Sequence, residues 1–259
     1  MKGMATEASA TLMIVVLCWI VLTIADASVG LMLKLMFGIP FRKAFLWGLL
    51  SLLLPPLAIG YGALIERNCS RINEINISFE NLPEGFDGYR IVHISDIHAR
   101  SFIGREKHLA RAIDKINGSY PDIVAFTGDL ITLAPDELEK LAPILGSIKA
   151  KTFSVLGNHD YSIYSHASEQ ERLAHLEDLI ARENEMGWEL LLDDHRVISK
   201  GTDSIAIVGV QNISPSRHFP SKGDLKKASK DTEGMFRIVL SHNPMHWENE
   251  ILGQDYPLT

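Results

Sequence analysis

Four short polar motifs each follow a predicted strand, and their residue types are those that bind metal ions. The first is Asp96-x-His98, which directly follows an apolar run ending at Ser95. The later three are Gly128-Asp129, Gly157-Asn158-His159-Asp160 and Ser241-His242. Carboxylate oxygens and imidazole nitrogens together suit divalent ions such as Mn, Fe or Zn. The four motifs therefore indicate a site that could hold a divalent metal ion.

Each motif taken singly also has a purely structural interpretation. Gly-Asp after a strand commonly forms a turn, and Asn-His-Asp can form a loop with an Asx turn. A single histidine such as His242 is more often a hydrogen-bonded polar residue than a ligand. Four polar strand ends together favour a site, because ligands of open α/β sheets collect beyond the carboxyl ends of the strands.

The elements that would position these motifs are predicted by hydrophobic periodicity. Strands that end in a motif are predicted at residues 89–95, 122–126, 151–156 and 236–240. Amphipathic helices are predicted at residues 106–117, 135–148 and 169–186. Shorter strands are predicted around Leu190, around Val197, at 205–210, and at Ile75, Ile77 and Phe79. This alternation predicts an α/β domain.

Two uncharged apolar runs precede that domain. Residues 8–25 and 44–65 are 18 and 22 residues long, and a bilayer is crossed by about 20 apolar residues in a helix. We interpret them as two transmembrane helices, with Pro55-Pro56 kinking the second. A signal peptide or buried helices of a soluble core are the alternatives. The predicted organisation is a membrane anchor over residues 1–70 and an α/β domain over residues 71–259.

The charge distribution separates these two parts and limits the partners. The chain has a net charge of −7, residues 1–65 carry +2, and the remainder therefore carries −9. An acidic domain argues against nucleic acid as a partner, because phosphate backbones bind basic surfaces. Lys34, Arg42 and Lys43 between the spans predict that this linker is cytoplasmic and the domain extracytoplasmic, although Arg67 and Arg71 oppose this. The predicted location is the cell membrane, with a multi-pass anchor in the lipid bilayer.

The order and spacing of the motifs resemble the calcineurin-like metallophosphoesterases. Asp96, Asp129, Asn158 and His242 are separated by 33, 29 and 84 residues, and the resemblance covers about residues 89–259. Ser-Asp-Ile-His, Ser-His-Asn-Pro and an apolar anchor are similar to the membrane-associated bacterial branch. Some members of that branch cleave lipid-linked or nucleotide-sugar-lipid phosphoesters. The resemblance implies a four-layer α/β/β/α sandwich, here preceded by the two transmembrane helices.

The resemblance also implies roles for the motif residues. Two divalent metal ions (Mn, Fe or Zn) would be bridged by Asp129, with Asp96 and His98 completing one site and Asn158 and His242 the other. His159 would act on the leaving group, and Asp160 would hydrogen-bond its imidazole. The implied function is metal-dependent hydrolysis of phosphoester or pyrophosphate bonds at a membrane surface, with a lipid-linked substrate among the candidates.

One family motif is absent from the sequence. Gly-His-x-His would give one histidine to each metal and would follow the strand after His242, whereas residues 255–259 look like the opening of that strand. We therefore expect a truncated chain with impaired activity. The alternative is an inactive membrane-anchored binding or scaffold module. His218, in a polar loop, is a further candidate to approach the substrate.

Overall fold

The computed structural model describes residues 2–48, 52–66, 69–214 and 220–259. The chain divides into two compact units, Met1–Arg71 and Ile72–Thr259. The sequence-based expectations for Arg67 and His218 lie outside the described residues.

The first unit is helical and is dominated by one long apolar helix. Its helices are α1 (Lys2–Phe37), α2 (Phe41–Gly48) and α3 (Leu54–Leu64). Within the described residues, the segment Met13–Phe37 of α1 is the one helix long and apolar enough to cross a membrane, and 6% of its apolar window is buried. A core helix of a soluble protein would bury most of that surface, so the exposure supports a membrane location.

The two predicted spans correspond only partly to these helices. The first lies within α1, which also runs through most of the expected linker before the chain turns at Gly38 (φ +68°). The second span includes α3 and part of α2; residues 49–51 lie outside the description, and residues 52–53 form a 3-10 turn directly before α3. Pro55 and Pro56 occupy the first turn of α3. Proline is compatible with that position, so these prolines begin a helix and do not kink one.

The second unit contains a four-stranded parallel sheet that forms the base of the site. Its strands, in spatial order, are β1 (Ile91–Ile94), β2 (Ile123–Phe126), β3 (Lys151–Ser154) and β4 (Glu189–Leu190). The connecting helices are α4 (Glu106–Gly118), α5 (Ala142–Leu145) and α6 (Glu169–Glu185). Ile94 is level with Phe126, and Phe126 with Ser154, so the three loops that follow begin at one edge.

Two expectations for this sheet are corrected. The strand before Asp96 was predicted to be buried, but β1 is an edge strand and is only partly covered, whereas β2 is buried throughout. The helix predicted over residues 135–148 is broken into a 3-10 turn, Pro135–Leu138, and the short α5. The 3-10 turn brings Glu137 inward, where its carboxylate receives backbone hydrogen bonds.

A second sheet packs against the first. It consists of β5 (Asp194–Lys200), β6 (Asp203–Gly209) and β7 (Phe236–Leu240), with β5 antiparallel and β7 parallel to β6. Leu258 forms an isolated parallel bridge to Ile238 beside β7. The short helix α7 (Leu225–Ala228) and a π-helical turn, Trp247–Ile251, follow β6 and β7 in the chain.

Alternating side chains of β6 show how the layers are ordered. Ile205 and Ile207 belong to the apolar cluster between the two sheets, together with residues of β2 and β3. Ala206 and Val208 point the other way and pack with Leu225 of α7. A third cluster joins the first sheet to α4, α5 and α6. The order is therefore helices, first sheet, second sheet and α7.

The strand predicted at Ile75, Ile77 and Phe79 is wrong. Residues 70–79 have no regular secondary structure, and Ile75 and Ile77 are 77% and 55% exposed. Phe79 alone joins the core between the sheets, where its ring contacts Phe236 edge-on at 5.1 Å. Alternation of apolar residues does not by itself form a strand where backbone partners are lacking.

Candidate metal centre

The loops after β1 and β2 are joined by backbone hydrogen bonds that continue the pairing of the two strands. The Asp96 amide donates to the Gly128 carbonyl at 3.0 Å, and the His98 amide donates to the Asp129 carbonyl at 3.0 Å. Asp96, His98 and Asp129 all adopt left-handed backbone conformations, with φ of 53°, 44° and 58°. Such conformations cost about 1–3 kcal/mol for residues other than glycine and persist mainly at functional sites.

The loops after β2 and β3 approach each other so closely that glycine is required in both. A Cβ on Gly128 would lie 2.4 Å from the Gly157 nitrogen, and a Cβ on Gly157 would lie 2.2 Å from Asp129 Oδ1. Gly128 also has a positive φ of 94°. The glycines of the Gly-Asp and Gly-Asn-His-Asp motifs therefore allow the Asp129 carboxylate to reach the residues that follow β3.

Asp129 lies at the centre of the site and is 3% exposed. Its Oδ1 accepts a hydrogen bond from the His159 amide at 2.9 Å. Its Oδ2 lies 3.6 Å from His98 Nε2, 3.6 Å from His242 Nε2 and 4.0 Å from His159 Nε2. These separations exceed hydrogen-bond length and are compatible with donors that each lie about 2.0–2.2 Å from a shared ion.

Two groups of donor atoms are close enough to hold a metal ion, and both contain Asp129. One group is His98, Asp129 and His159, and the other is Asp96, Asp129 and His242, with the donor atoms of each within 4.8 Å of one another. Asp96 Oδ1 also lies 3.8 Å from His98 Nε2. The structure thus brings all the predicted ligands together, but it groups His159 with His98 and Asp96 with His242.

His242 and Asn158 bring two further potential metal ligands to the site. His242 Nδ1 donates to the Thr127 carbonyl at 2.9 Å, which directs Nε2 toward Asn158. Nε2 lies 3.1 Å from Asn158 Oδ1, at hydrogen-bond distance. Imidazole nitrogen and amide oxygen are both atoms that bind divalent cations. The donor set of the second group, extended by Asn158, therefore fits a divalent metal ion.

The imidazole of His159 is held on three sides. Its Nδ1 donates to the Thr132 carbonyl at 2.8 Å, which directs Nε2 toward Asp129. The ring stacks on Tyr164, with centroids 4.1 Å apart and planes inclined by 24°, and meets the His98 ring edge-on at 4.7 Å. Nε2 is therefore the ring atom that faces the site.

The expectation that Asp160 hydrogen-bonds the His159 imidazole is wrong. Its buried carboxylate accepts hydrogen bonds from the backbone amides of Gly157, Asp129, Leu130 and Ile131 at 2.8–3.1 Å. Burial raises the pKa of Asp160 to about 7; the amide hydrogen bonds oppose this shift and the nearby Asp129 charge adds to it. Asp160 therefore fastens the loops after β2 and β3 together and does not orient an imidazole.

Sequence reasoning missed three groups of supporting residues. Thr127 and Thr132 orient His242 and His159 through carbonyl oxygens, which any residue type provides. Glu137 accepts hydrogen bonds from the amides of Arg100, Thr132 and Leu133, and so links the loops after β1 and β2. Tyr164 accepts a hydrogen bond from Asn158 Nδ2 at 3.2 Å. Only Tyr164 had a visible signal, an aromatic residue shortly after the Asn-His-Asp motif.

Comparison with known proteins identifies the class to which this arrangement belongs. Residues 89–257 match the family described as calcineurin-like phosphoesterase. The match covers more than half of the chain, so the chain belongs to this family of metal-binding hydrolases, as its motifs predicted. Members generally use divalent metal ions, and the donor groups around Asp129 are consistent with that.

Three curated relatives are similar to this chain over stretches of 204, 113 and 106 residues. A "transmembrane protein with metallophosphoesterase domain" of Danio rerio is 30% identical over 204 residues, which cover 75% of this chain and 44% of that protein. The uncharacterized metallophosphoesterase YkuE of Bacillus subtilis is 34% identical over 113 residues, 42% of this chain and 39% of that protein. The UDP-2,3-diacylglucosamine pyrophosphatase LpxG of Chlamydia trachomatis is 39% identical over 106 residues, 39% of this chain and 31% of that protein. The chain spans less than half the length of these curated relatives.

Proposed function

We propose that the protein hydrolyses phosphoester or pyrophosphate bonds at a membrane surface through a site for two divalent metal ions. The observation that carries this proposal is the position of Asp129, whose carboxylate is shared by two groups of nitrogen and oxygen donors. A shared carboxylate is the usual means of holding two ions about 3.5–4 Å apart, a spacing that clamps the attacking and leaving oxygens of a phosphoryl group.

The residues divide between the two ions according to the geometry. Asp96, Asn158 and His242 would hold one ion with Asp129, and His98 would hold the other. Bound ions would activate water and neutralise charge on the phosphoryl oxygens. The protein's own part is to keep the donor atoms aligned through the backbone hydrogen bonds made by the loops after β1, β2 and β3.

His159 has the geometry of a group that transfers a proton to the leaving oxygen. Its Nδ1–H is held by the Thr132 carbonyl, so a second proton would reside on Nε2, the atom that faces the site. We propose that Nε2 donates this proton to the departing oxygen, with Asp160 acting only through the loop that carries His159.

The proposed substrate carries its phosphate on a lipid. LpxG is named for a diacylated nucleotide sugar and is 39% identical over the matched segment. The exposed apolar surface of α1 would keep the protein at the bilayer that holds such a substrate. We propose further that the anchor crosses the membrane twice, with Lys34, Arg42 and Lys43 on the cytoplasmic side and the phosphoesterase unit on the other.

The experiment for the two-metal proposal compares two aspartate variants. Asp129→Asn removes the shared charge and is expected to lower phosphodiesterase activity toward an aryl phosphodiester in Mn by at least about 10³-fold. Asp136→Asn makes the same change at an exposed position of the same loop and should keep wild-type activity. Retention of most activity by Asp129→Asn would contradict the shared-ligand assignment.

A separate measurement addresses the substrate. We expect the detergent-solubilised protein to hydrolyse a diacylated nucleotide-sugar pyrophosphate faster than its unacylated parent, mainly through a lower KM, because the acyl chains bring the phosphate to the micelle that holds α1. Equal kcat/KM for the two compounds would contradict the lipid part of the proposal and leave the hydrolysis unaffected.

A further inference from the structure

Tyr164 touches two site residues at once. Its hydroxyl oxygen accepts the hydrogen bond from Asn158 Nδ2 at 3.2 Å, and its ring stacks on His159 at 4.1 Å. Its side chain is 45% exposed, so burial in a core does not explain its position.

A tight turn folds Tyr164 back over the site. Ser162 adopts a left-handed conformation with φ of 54°, which reverses the chain directly after the 3-10 turn His159–Tyr161. The amide and the hydroxyl of Ser165 both donate to the Ser162 carbonyl, at 3.1 and 2.6 Å. The turn is thus closed on either side of Tyr164, and the side chain has a defined direction.

The hydroxyl holds the Asn158 amide in the orientation that would present Oδ1 to an ion. With Nδ2 held by the tyrosine oxygen, Oδ1 is directed at His242 Nε2, 3.1 Å away. An amide turned by 180° would instead present an NH2 group, which cannot bind a cation. Partners that orient a ligand in this way typically change metal affinity by about 10–100-fold when they are removed.

The ring performs a different task. The Tyr164 ring covers the face of the His159 imidazole, while Thr132 and His98 hold its other sides. Loss of the ring would free the imidazole to rotate, and Nε2 would leave its direction toward the site. One side chain thereby couples an ion ligand to the residue that we assign to the leaving group.

We propose that Tyr164 is a positioning residue with two separable parts, in which the hydroxyl orients Asn158 toward one ion and the ring orients His159. This inference rests on the proposed two-metal function. Because Asn158 belongs with Asp96 and His242, the hydroxyl should affect only the ion that these residues hold.

The test is a titration of the protein with Mn, monitored by electron paramagnetic resonance, together with the kinetics of hydrolysis. In Tyr164→Phe we expect one step of the Mn titration, that of the ion held by Asp96, Asn158 and His242, to weaken by about tenfold, so that the signal of the coupled Mn pair requires more Mn. The other Mn should bind as in wild type, and kcat at saturating Mn should stay within about twofold because the ring is retained. Tyr120→Phe, which removes a hydroxyl at an 83% exposed tyrosine, is the matched control.

Tyr164→Leu tests the role of the ring, because it removes the ring together with the hydroxyl. It should show the same Mn shift and in addition lose about tenfold in kcat at saturating Mn, most strongly for substrates with poor leaving groups. Wild-type Mn binding in Tyr164→Phe, or an equal weakening of both ions, would overturn the hydroxyl assignment. A Tyr164→Leu loss that is independent of the leaving group would overturn the ring assignment. A wild-type protein that binds no Mn pair would overturn the proposed function itself, and with it this inference.

Discussion

Asp129 and Asp160 are buried carboxylates on adjoining loops, and they have opposite kinds of neighbour. Three imidazole nitrogens surround Asp129 Oδ2 at 3.6–4.0 Å, too far for hydrogen bonds. Four backbone amides surround the Asp160 carboxylate at 2.8–3.1 Å. The first arrangement leaves space between donors that a cation fits, and the second is already complete. Both residues are buried acids, so the distances to their neighbours distinguish a ligand from a structural acid.

The largest expected effect concerns the imidazole beside Asp129. We expect His159→Gln to lower kcat by about 10²–10⁴-fold, because the leaving oxygen loses its proton donor. The loss should shrink for aryl esters with acidic leaving groups, and the metal content by elemental analysis should match wild type. The exposed His166 provides the control His166→Gln. If His159→Gln lost one metal ion per chain, His159 would instead be a ligand, as its spacing to His98 and Asp129 allows.

The next largest effect is expected at Asp160, whose carboxylate we assign a structural role. Asp160→Asn replaces a carboxylate oxygen with an NH2 group that faces backbone amides, so at least one amide loses its acceptor. We expect the free energy of unfolding of the metal-free protein to fall by about 2–4 kcal/mol, measured by thermal or urea denaturation in detergent. Asp129→Asn can keep Oδ1 as the acceptor of the single His159 amide, so it should change that stability little. Similar losses in the two variants would remove the distinction drawn between these acids.

The smallest effect comes from a third buried acid, Glu183 of α6. Its carboxylate accepts a hydrogen bond from the Ser154 hydroxyl of β3. Burial raises its pKa from 4.5 to about 8; the Ser154 hydrogen bond opposes the shift and the Asp160 charge adds to it. The folded state therefore holds an extra proton between about pH 4.5 and 8, and stability should decline as pH rises through this window.

Glu183→Gln should remove the contribution of Glu183 to that dependence and leave the contribution of Asp160, whose pKa is also raised. We expect the slope of unfolding free energy against pH between 5 and 7.5 to become shallower by roughly 1 kcal/mol per pH unit. Glu177→Gln, at an exposed position on the same helix, should keep the wild-type slope. An unchanged slope in Glu183→Gln would show that Glu183 is ionised in the folded protein.

The convergence of the candidate ligands could be predicted from the sequence because each of them follows a strand closely. Asp129 and His242 come within three residues of the ends of β2 and β7, and the apolar runs before them could only be buried strands. The partner of Asp160 could not be predicted, since a carboxylate next to a histidine in sequence points elsewhere once the 3-10 turn His159–Tyr161 forms. The burial of Glu137 could not be predicted either, because nothing in Pro-Asp-Glu-Leu distinguishes a buried acid from a solvated one.

Other failures come from contacts that only the folded chain defines. Ile75 and Ile77 alternate as in a strand, yet no described strand pairs with them. The helix predicted over residues 135–148 is interrupted before α5, whose first turn holds Pro143, because proline cannot continue a helix. The Glu137 carboxylate, which accepts three backbone hydrogen bonds, holds the turn that precedes it. In the helical unit, hydropathy located the apolar segments, but Gly38 and the Pro55-Pro56 pair set where helices end and begin.

The contact between Gly128 and Gly157 has a mechanical consequence. Here two main chains meet with no side chain between them, so their spacing is limited by the van der Waals radii of backbone atoms. A rotamer change can shift a side chain by several ångströms, whereas this contact between backbone atoms can change by only a few tenths of an ångström. The separation of the loops that carry Asp129 and Asn158 is thereby limited by backbone atoms.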